Sequence, residues 1–399
     1  MLPVEQAIRI VLEAARTLDT ENVPLSECQG RILAEPTLAD ADLPPFDRSI
    51  MDGFALIAAD TESNGTTLEI VEEVFAGDIP QKALQPGEAA KIMTGAPIPQ
   101  GADCVVMVEN TSMNKDGQVV ISEIAEIGQN INPRAEFVSR GDALLEPGIK
   151  LRPMELGVLA FVGCVDPLVF RRPVCAILST GDELVNVSET PGPGQIRNSN
   201  IYCLAAQLEN AGAEVKVLGI GRDNPEELSA LIGKGLQADI LVSTGGASVG
   251  EKDFVGGVLQ QHGVEIHFDK VALKPGKPTL FGSRDRTLIF GLPGNPLSAL
   301  VSCELFVLSA VRKMCGSAEA VPETTNVRLG KGKIKRMNRR QYIPGGLLSD
   351  GTGLIVDLLE FKGSGDLTGV LGTDGLVIVP ENAPPPSSGD VISFLPYSR

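Results

Sequence analysis

The sequence predicts an α/β domain combined with β modules, and three observations support this fold class. Between residues 173 and 314, apolar runs of strand length alternate with segments of helical spacing, which is typical of a parallel sheet covered by helices on both faces. From residue 68 to about 138, short apolar runs separated by turn signals indicate a mostly-β module. Beyond residue 325, short strands and glycines precede a proline-rich loop, which predicts a small β-barrel or sandwich.

Composition limits the classes of partner. A length of 399 residues predicts roughly two to four domains. A net charge of −17 argues against general nucleic-acid binding, which relies on lysine and arginine to neutralise phosphates. An anionic ligand would therefore need a local basic cluster that acts against the charge of the whole chain.

The cysteine pattern and hydropathy favour a cytoplasmic protein. Seven widely spaced cysteines form no CxxC pair, as expected for a reduced intracellular chain, and two histidines exclude a His-rich metal site. Residues 1–18 have the spacing of an amphipathic helix that packs on a core, not that of a secretory signal. No run approaches the ~18 apolar residues of a membrane span.

Every strand of the predicted α/β domain ends in a loop rich in polar residues or glycine. In such sheets the ligand lies outside the carboxyl ends of the strands, so these loops together predict a site. They are Thr180 to Glu183, Arg222 and Asp223, Thr244 to Asp253, Lys270 to Lys277, and Leu292 to Pro296.

The loop from Thr244 to Gly250 follows a buried strand and carries three glycines, which suits phosphate binding or a tight β-α turn. A P-loop is unlikely, because Lys252 comes one residue late and Asp253 stands where serine or threonine would bind Mg²⁺.

The segment from Lys270 to Pro278 holds three lysines, and its prolines stiffen the backbone around two of them. Rigidly placed ammonium groups suit an oxyanion such as phosphate or a metal oxyanion, with a solvated surface loop as the alternative. A second basic run, Lys331 to Arg340, is interpreted as the solvated face of a strand.

Carboxylates also recur at the strand ends, as Asp182, Glu183, Asp223 and Asp253. They could hold Mg²⁺ or cap the helices that follow. The helix predicted from residue 200 has Asn198, Ser199 or Asn200 as its cap.

The motifs resemble those of the MoeA family, which also includes the C-terminal part of gephyrin. The matching segments are LPPFDRSIMDGFA, KIMTGAPIPQGADCVV, STGDEL, STGGASVGEKD, ALKPGKP and GLPGNPLSA. The resemblance implies a homodimer with a cleft shared between subunits. It also implies a molybdopterin-binding three-layer α/β domain, an inserted mostly-β domain, a connecting extended domain and a C-terminal β-barrel.

This resemblance predicts five divisions of the chain. They are an N-terminal helix (1–20), a connecting domain (21–40 and 141–171), the inserted domain (41–140), the α/β domain (172–318) and the barrel domain (319–399).

The implied activity is that of a transferase in molybdenum cofactor biosynthesis. It takes adenylylated molybdopterin and molybdate, cleaves the adenylate with a divalent cation such as Mg²⁺, and releases AMP and molybdenum cofactor. Molybdopterin adenylylation, insertion of tungstate and a non-enzymatic scaffold remain alternatives.

The site residues follow from the resemblance position by position. The implied catalytic residues are Asp52, Glu183, Asp223, Asp253 and Lys270, of which Glu183, Asp223 and Asp253 also hold the metal. Those implied to bind molybdopterin or nucleotide are Thr94, Ser179, Thr180, Gly181, Thr244, Gly245, Gly246, Ser248, Gly250, Pro293, Gly294 and Asn295. Those implied to bind molybdate are Lys274, Lys277, Ser298, Arg339 and Ser364. Phe137 stands where the family has an acidic residue, and Pro344 stands near a usual arginine.

Overall fold

A computed structural model describes residues 1–245, 254–349, 351 and 353–397. The chain divides into two compact units, one formed by residues 1–35, 147–153 and 166–399 and the other by residues 36–146 and 154–165. The finer division into five segments stays a prediction. Among the described residues, no helix is both long and apolar enough to cross a membrane.

The first unit is built on a six-stranded sheet. Its strands, in spatial order, are Glu214–Gly221, Val174–Thr180, Ile240–Thr244, Thr287–Leu292, Leu280–Arg284 and Glu265–Phe268. The first four are parallel, as predicted, but the strand Leu280–Arg284 is antiparallel to both neighbours. The cause is local, because Asp285 and Arg286 alone connect it to the next strand, and so short a link joins only antiparallel strands.

Helices cover both faces of this sheet. Successive residues of a strand point to opposite faces, so Ile177 packs in one core with the first helix, whereas Ala176 and Leu178 pack in a second core. The helices of the unit are Val4–Ala14, Asn200–Asn210, Pro225–Gly235, Phe254–Gln261, Pro296–Ser302 and Leu308–Met314, with a π-helical turn at Cys303–Val307 and 3-10 turns at Leu25–Glu27 and Thr368–Val370. The predicted three-layer arrangement results.

The same unit ends in a closed barrel rather than a sandwich. Its strands are Thr325–Leu329, Arg340–Ser349, Leu354–Leu358, Gly375–Val379 and Val391–Pro396. The long strand Arg340–Ser349 closes the barrel, because it pairs with Leu354–Leu358 on one side and Gly375–Val379 on the other. A further short strand, Leu273–Lys274, pairs in parallel with its first residues and so ties the lysine segment to the barrel.

The interpretation of Lys331 to Arg340 as a strand face is wrong. Residues 331–339 form a loop, and the strand begins only at Arg340. Hydrogen bonds to other segments fix this loop: the Lys331 N–H donates to Asp357 Oδ1 (2.7 Å), and the Asn382 N–H donates to Met337 O (2.7 Å).

The second unit contains a separate six-stranded sheet, in agreement with the predicted mostly-β module. Its strands, in spatial order, are Cys104–Met107, Gly53–Leu56, Glu88–Ile92, Thr66–Val74, Val119–Ile121 and Thr111–Met113. The unit also has a helix at Pro153–Phe161, 3-10 turns at Ala58–Thr61 and Val108–Asn110, and short strand pairs at Thr37–Leu38 with Ala143–Leu145 and Arg48–Ser49 with Ile131–Asn132. Two more short pairs belong to the first unit, namely Thr20–Asn22 with Leu168–Phe170 and Leu184–Val185 with Ile196–Arg197.

Candidate active site

A cavity of about 500 Å³ lies at the carboxyl edge of the parallel strands in the first unit. Ten of the residues predicted from sequence line it: Ser179, Thr180, Gly181, Glu183, Asp223, Thr244, Gly245, Pro293, Gly294 and Asn295. The structure therefore brings four of the predicted loops to one place, as expected for an α/β sheet. Gly246, Ser248, Gly250 and Asp253 lie outside the described residues.

Side-chain hydrogen bonds hold the wall of this cavity, which we call the sheet-edge cavity. The Ser179 hydroxyl donates to Asn198 Oδ1 (2.9 Å). Asn200 Nδ2 donates to Thr244 Oγ1 (2.9 Å) and to Gly294 O (2.8 Å). Ser199, one of the three predicted caps, occupies the N-cap position of the helix at Asn200. Its side chain makes no cap bond, however, and the flanking asparagines tie strand ends together.

Gly245 brings two loop backbones into close approach. Its φ of +93° is left-handed, and a Cβ there would lie 2.3 Å from Thr180 O, so this position accepts only glycine without a backbone shift. The neighbouring Thr180 is 3% exposed, and its hydroxyl oxygen has no hydrogen-bond partner among the described residues. A buried hydroxyl without a partner is costly, so Thr180 offers a donor to a bound ligand.

Arg222 fixes the loop that carries Glu183. Its Nη1 donates to the backbone oxygens of Leu184 (2.9 Å) and Asp182 (3.1 Å), and it also lies 3.5 Å from Gly181 O. The Glu183 carboxylate folds over Gly181, where a Cβ would lie 2.4 Å from Glu183 Oε2. This network orients the loop, and apart from the position of Arg222 at a strand end, no sequence pattern indicates it.

The carboxylates fit a hard divalent cation only in part. Glu183 and Asp223 both line the sheet-edge cavity. Among the described residues, however, no three acidic, histidine or cysteine groups lie close enough to hold a metal ion. Two carboxylates still fit Mg²⁺, which commonly takes one or two from the protein and completes its shell with substrate phosphates and water.

A second cavity, of about 1430 Å³, lies between the lysine segment and the barrel. All five residues predicted to bind molybdate line it: Lys274, Lys277, Ser298, Arg339 and Ser364. We call it the basic cavity. Pro278 lines both cavities, so they are neighbours.

Long-range contacts assemble the basic cavity. Arg339 Nη1 donates to Leu273 O (3.2 Å), and Lys274 Nζ lies 2.8 Å from Met337 Sδ. The Leu297 N–H donates to Ser364 O (3.0 Å), which brings the 362–369 loop to the start of the helix that carries Ser298. Residues from four distant segments therefore meet here.

Asp366 orders the 362–369 loop. Its carboxylate accepts from the Lys362 N–H (2.9 Å), the Thr368 hydroxyl (2.7 Å) and the Gly369 N–H (2.9 Å). These donors, the Lys362 N–H foremost, lower the pKa of Asp366 to about 2. Asp366 thus stays ionised and positions Ser364 beside the cavity.

Two predicted residues pair in the second unit. The Thr94 N–H and hydroxyl both donate to Asp52 Oδ1, at 2.7 and 2.8 Å. The N–H, followed by the hydroxyl, lowers the pKa of Asp52, which is exposed and ionised. Nearby in sequence, the Arg48 guanidinium lies 5.5 Å from the centre of the Phe137 ring, so a cation–π contact occupies the position where a carboxylate is lacking.

Lys270 lines neither cavity, and its ammonium lies 3.6 Å from Asp269 Oδ2. Pro344 lies within the strand Arg340–Ser349, opposite Leu376, where its carbonyl accepts from the Leu359 N–H.

Comparison with known proteins agrees with this architecture. Family models for the MoeA N-terminal region (domain I and II), a probable molybdopterin-binding domain and the MoeA C-terminal region (domain IV) match residues 2–163, 176–313 and 326–397. A molybdopterin molybdenumtransferase of Haemophilus influenzae is 34% identical and is aligned over 100% of this chain and 99% of its own length. The chain belongs to the MoeA family.

Another relative of that name, from a Nostoc species, is 39% identical over 91% of this chain and 85% of its own length. Among solved structures, a molybdopterin biosynthesis MoeA protein from Pyrococcus horikoshii superposes with a TM-score of 0.82, at 32% identity, over 100% of this chain and 99% of its own. The predicted membership of the MoeA family and the predicted fold class are thus confirmed.

Proposed function

We propose that this MoeA-family chain inserts molybdenum from molybdate into adenylylated molybdopterin and releases AMP and molybdenum cofactor. The observation that supports it best is the pair of neighbouring cavities that share Pro278 as a lining residue. One is lined by hydroxyls, glycines and two carboxylates, and the other by lysines and Arg339. A nucleotide-linked pterin and an oxyanion can therefore bind side by side.

The basic cavity is suited to molybdate as substrate. Lys274, Lys277 and Arg339 supply three positive charges, and Ser298 and Ser364 add hydroxyl donors. Each charge-assisted hydrogen bond contributes about 1.5–3 kcal/mol. Lys274 faces a sulfur atom, which is a weak acceptor, so its ammonium retains donors for the oxyanion.

The sheet-edge cavity would bind the adenylylated pterin. Thr180 offers its hydroxyl, and Ser179, Thr244 and Asn295 line the same wall. We also assign Gly246, Ser248 and Gly250 to this substrate. Glu183 and Asp223, with Asp253, would hold Mg²⁺. When bound, this ion neutralises phosphate charge and polarises the phosphoryl oxygen toward attack by water.

The proposal also covers three predicted residues that line neither cavity: Asp52, Thr94 and Lys270. We assign the Asp52–Thr94 pair to the cleft of a partner subunit in a homodimer, where the exposed Asp52 carboxylate would be accessible to substrate. We also assign Lys270 to this cleft. We further propose that the enzyme is cytoplasmic.

The direct test is to incubate the purified protein with adenylylated molybdopterin, Mg²⁺ and molybdate and to measure AMP and active cofactor. We expect molybdate-dependent AMP release that Lys274→Ala and Lys277→Ala strongly reduce, whereas Lys234→Gln, outside both cavities, does not. No AMP release by the wild type would refute the proposal.

Other outcomes identify the alternatives. ATP consumption without molybdate would indicate molybdopterin adenylylation, and a faster reaction with tungstate would indicate a tungstate-inserting enzyme. Restoration of cofactor synthesis in cells by Lys274→Ala as well as by wild type would favour a scaffold.

A further inference from the structure

The basic cavity carries more positive charge than the five predicted molybdate residues account for. Seven cationic residues line it within the described part of the chain, against two acidic ones, Glu360 and Asp366. Four of the cations are unassigned: Lys331, Lys333, Lys335 and Lys362. Both oxygens of Asp366 already accept hydrogen bonds within their own loop.

Lys331, Lys333 and Lys335 form what we call the lysine face. These lysines alternate with Gly332 and Ile334 along the loop. Ile334, between two of these lysines, is 8% exposed and packs in the barrel core, whereas all three lysines are exposed. The pattern K-G-K-I-K thus uses one buried isoleucine to direct the ammonium groups away from the core.

The lysine face belongs to a fixed backbone. Leu358 N–H donates to Lys331 O (2.8 Å), and Gln341 Nε2 donates to Lys335 O (2.9 Å). A Cβ on Gly332 would lie 2.6 Å from Leu358 Cβ, so the strand and the loop pack closely there. All three lysines line the basic cavity, and none of them forms an ion pair within the described residues.

We propose that the lysine face is a capture site that attracts the oxyanion substrate and delivers it to Lys274, Lys277 and Arg339. The chain carries a net charge of −17, which repels a dianion at long range. A cavity rimmed with one sign of charge focuses the field and raises the local concentration of its counter-ion. This inference rests on the proposed function, because it takes the dianion to be molybdate.

The test uses a triple variant, Lys331→Gln, Lys333→Gln and Lys335→Gln, with a matched control. The control is Lys115→Gln, Lys150→Gln and Lys234→Gln, three exposed lysines outside the basic cavity whose replacement changes the net charge equally. Molybdate alone is the probe, and its dissociation constant is measured by equilibrium dialysis at ionic strengths of about 20 mM and about 500 mM, where the screening length falls several-fold.

We expect the triple variant to bind molybdate on the order of tenfold more weakly than the control at low ionic strength. The difference should vanish at high ionic strength, whereas Lys274→Ala should weaken binding at both. Equal binding by the triple variant and the control at low ionic strength would overturn the capture site, and the loss in Lys274→Ala would still support the proposed function. If the wild type binds no molybdate, both proposals fail together.

Discussion

At the scale of single residues, Arg222 matters because it acts through backbone oxygens rather than through a substrate contact. It holds the 181–184 loop at two of its carbonyls and approaches a third. We predict that Arg222→Met weakens AMP binding by on the order of tenfold, since the lost charge-assisted bonds release the loop that lines the cavity. Calorimetric titration with AMP measures this effect.

The Arg222→Lys variant distinguishes a role in positioning the loop from a role in the stability of the whole protein. Arg222→Lys should retain part of the affinity, because one ammonium can reach fewer carbonyls than a guanidinium. Both variants should melt near the wild-type temperature. AMP affinity equal to wild type in Arg222→Met would show that the loop needs no such support.

Asp366 gives a pH-dependent prediction. Its folded pKa, about 2, lies below its ordinary value of 3.8, so its contribution to stability is present above pH 4 and is lost as pH falls toward 2. Asp366→Asn should therefore be less stable than wild type at neutral pH. The difference in free energy of unfolding between the two proteins should narrow between pH 4 and pH 2. Urea denaturation across this range measures it, with Asp285→Asn at the exposed hairpin turn as control. A gap independent of pH would contradict the assignment.

At the scale of elements, the π-helical turn Cys303–Val307 explains a buried ion pair. Two ordinary helical turns span about seven residues, and the π turn adds one, so Arg312 lies on the same face as Glu304, eight positions earlier. Arg312 Nη2 lies 3.2 Å from Glu304 Oε1, and Gln207 Nε2 lies 3.4 Å from Glu304 Oε2. Burial raises the pKa of Glu304, although Arg312 opposes this effect.

We predict that Arg312→Met destabilises the protein by about 3–5 kcal/mol, because it leaves the Glu304 carboxylate buried without its cation. The double variant Glu304→Leu with Arg312→Met should recover most of that loss, since apolar groups of similar size carry no desolvation cost. Urea denaturation of the single and double variants gives the comparison. If the double variant is as unstable as the single one, the loss of stability comes from altered packing and not from the unpaired carboxylate.

Elements also show where local sequence rules hold. The strand-end loops were predictable because apolar runs, glycines and prolines act within a few residues. The roles of Asn198 and Asn200 were not predictable, because a local rule makes both residues helix caps. Their hydrogen-bond partners Ser179, Thr244 and Gly294 come from other segments. The lysine face was misassigned for the same reason: its environment depends on barrel closure.

At the scale of the whole molecule, the proposed homodimer predicts complementation. If Asp52 of one subunit serves the sheet-edge cavity of the other, Asp52→Asn and Glu183→Gln should each inactivate their homodimers. Co-expression would then give mixed dimers that keep one of their two sites intact, so the purified mixed dimer should recover about half of the wild-type activity. AMP release by the co-purified dimer, selected with two affinity tags, measures it. No recovery would place Asp52 in its own subunit's site or outside any site.

The sequence by itself determined the fold class, the strand-end loops and the proline-stiffened segment that carries Lys274 and Lys277, because these depend on local periodicity and on short motifs. Only the tertiary structure decided that the barrel closes, that residues 331–335 and Arg339 line a cavity and that Arg222 supports the 181–184 loop. Each of these depends on partners far apart in the chain, such as the pairing of Lys274 with Gln341. No local pattern specifies such partners, because they are selected by the packing of the complete unit.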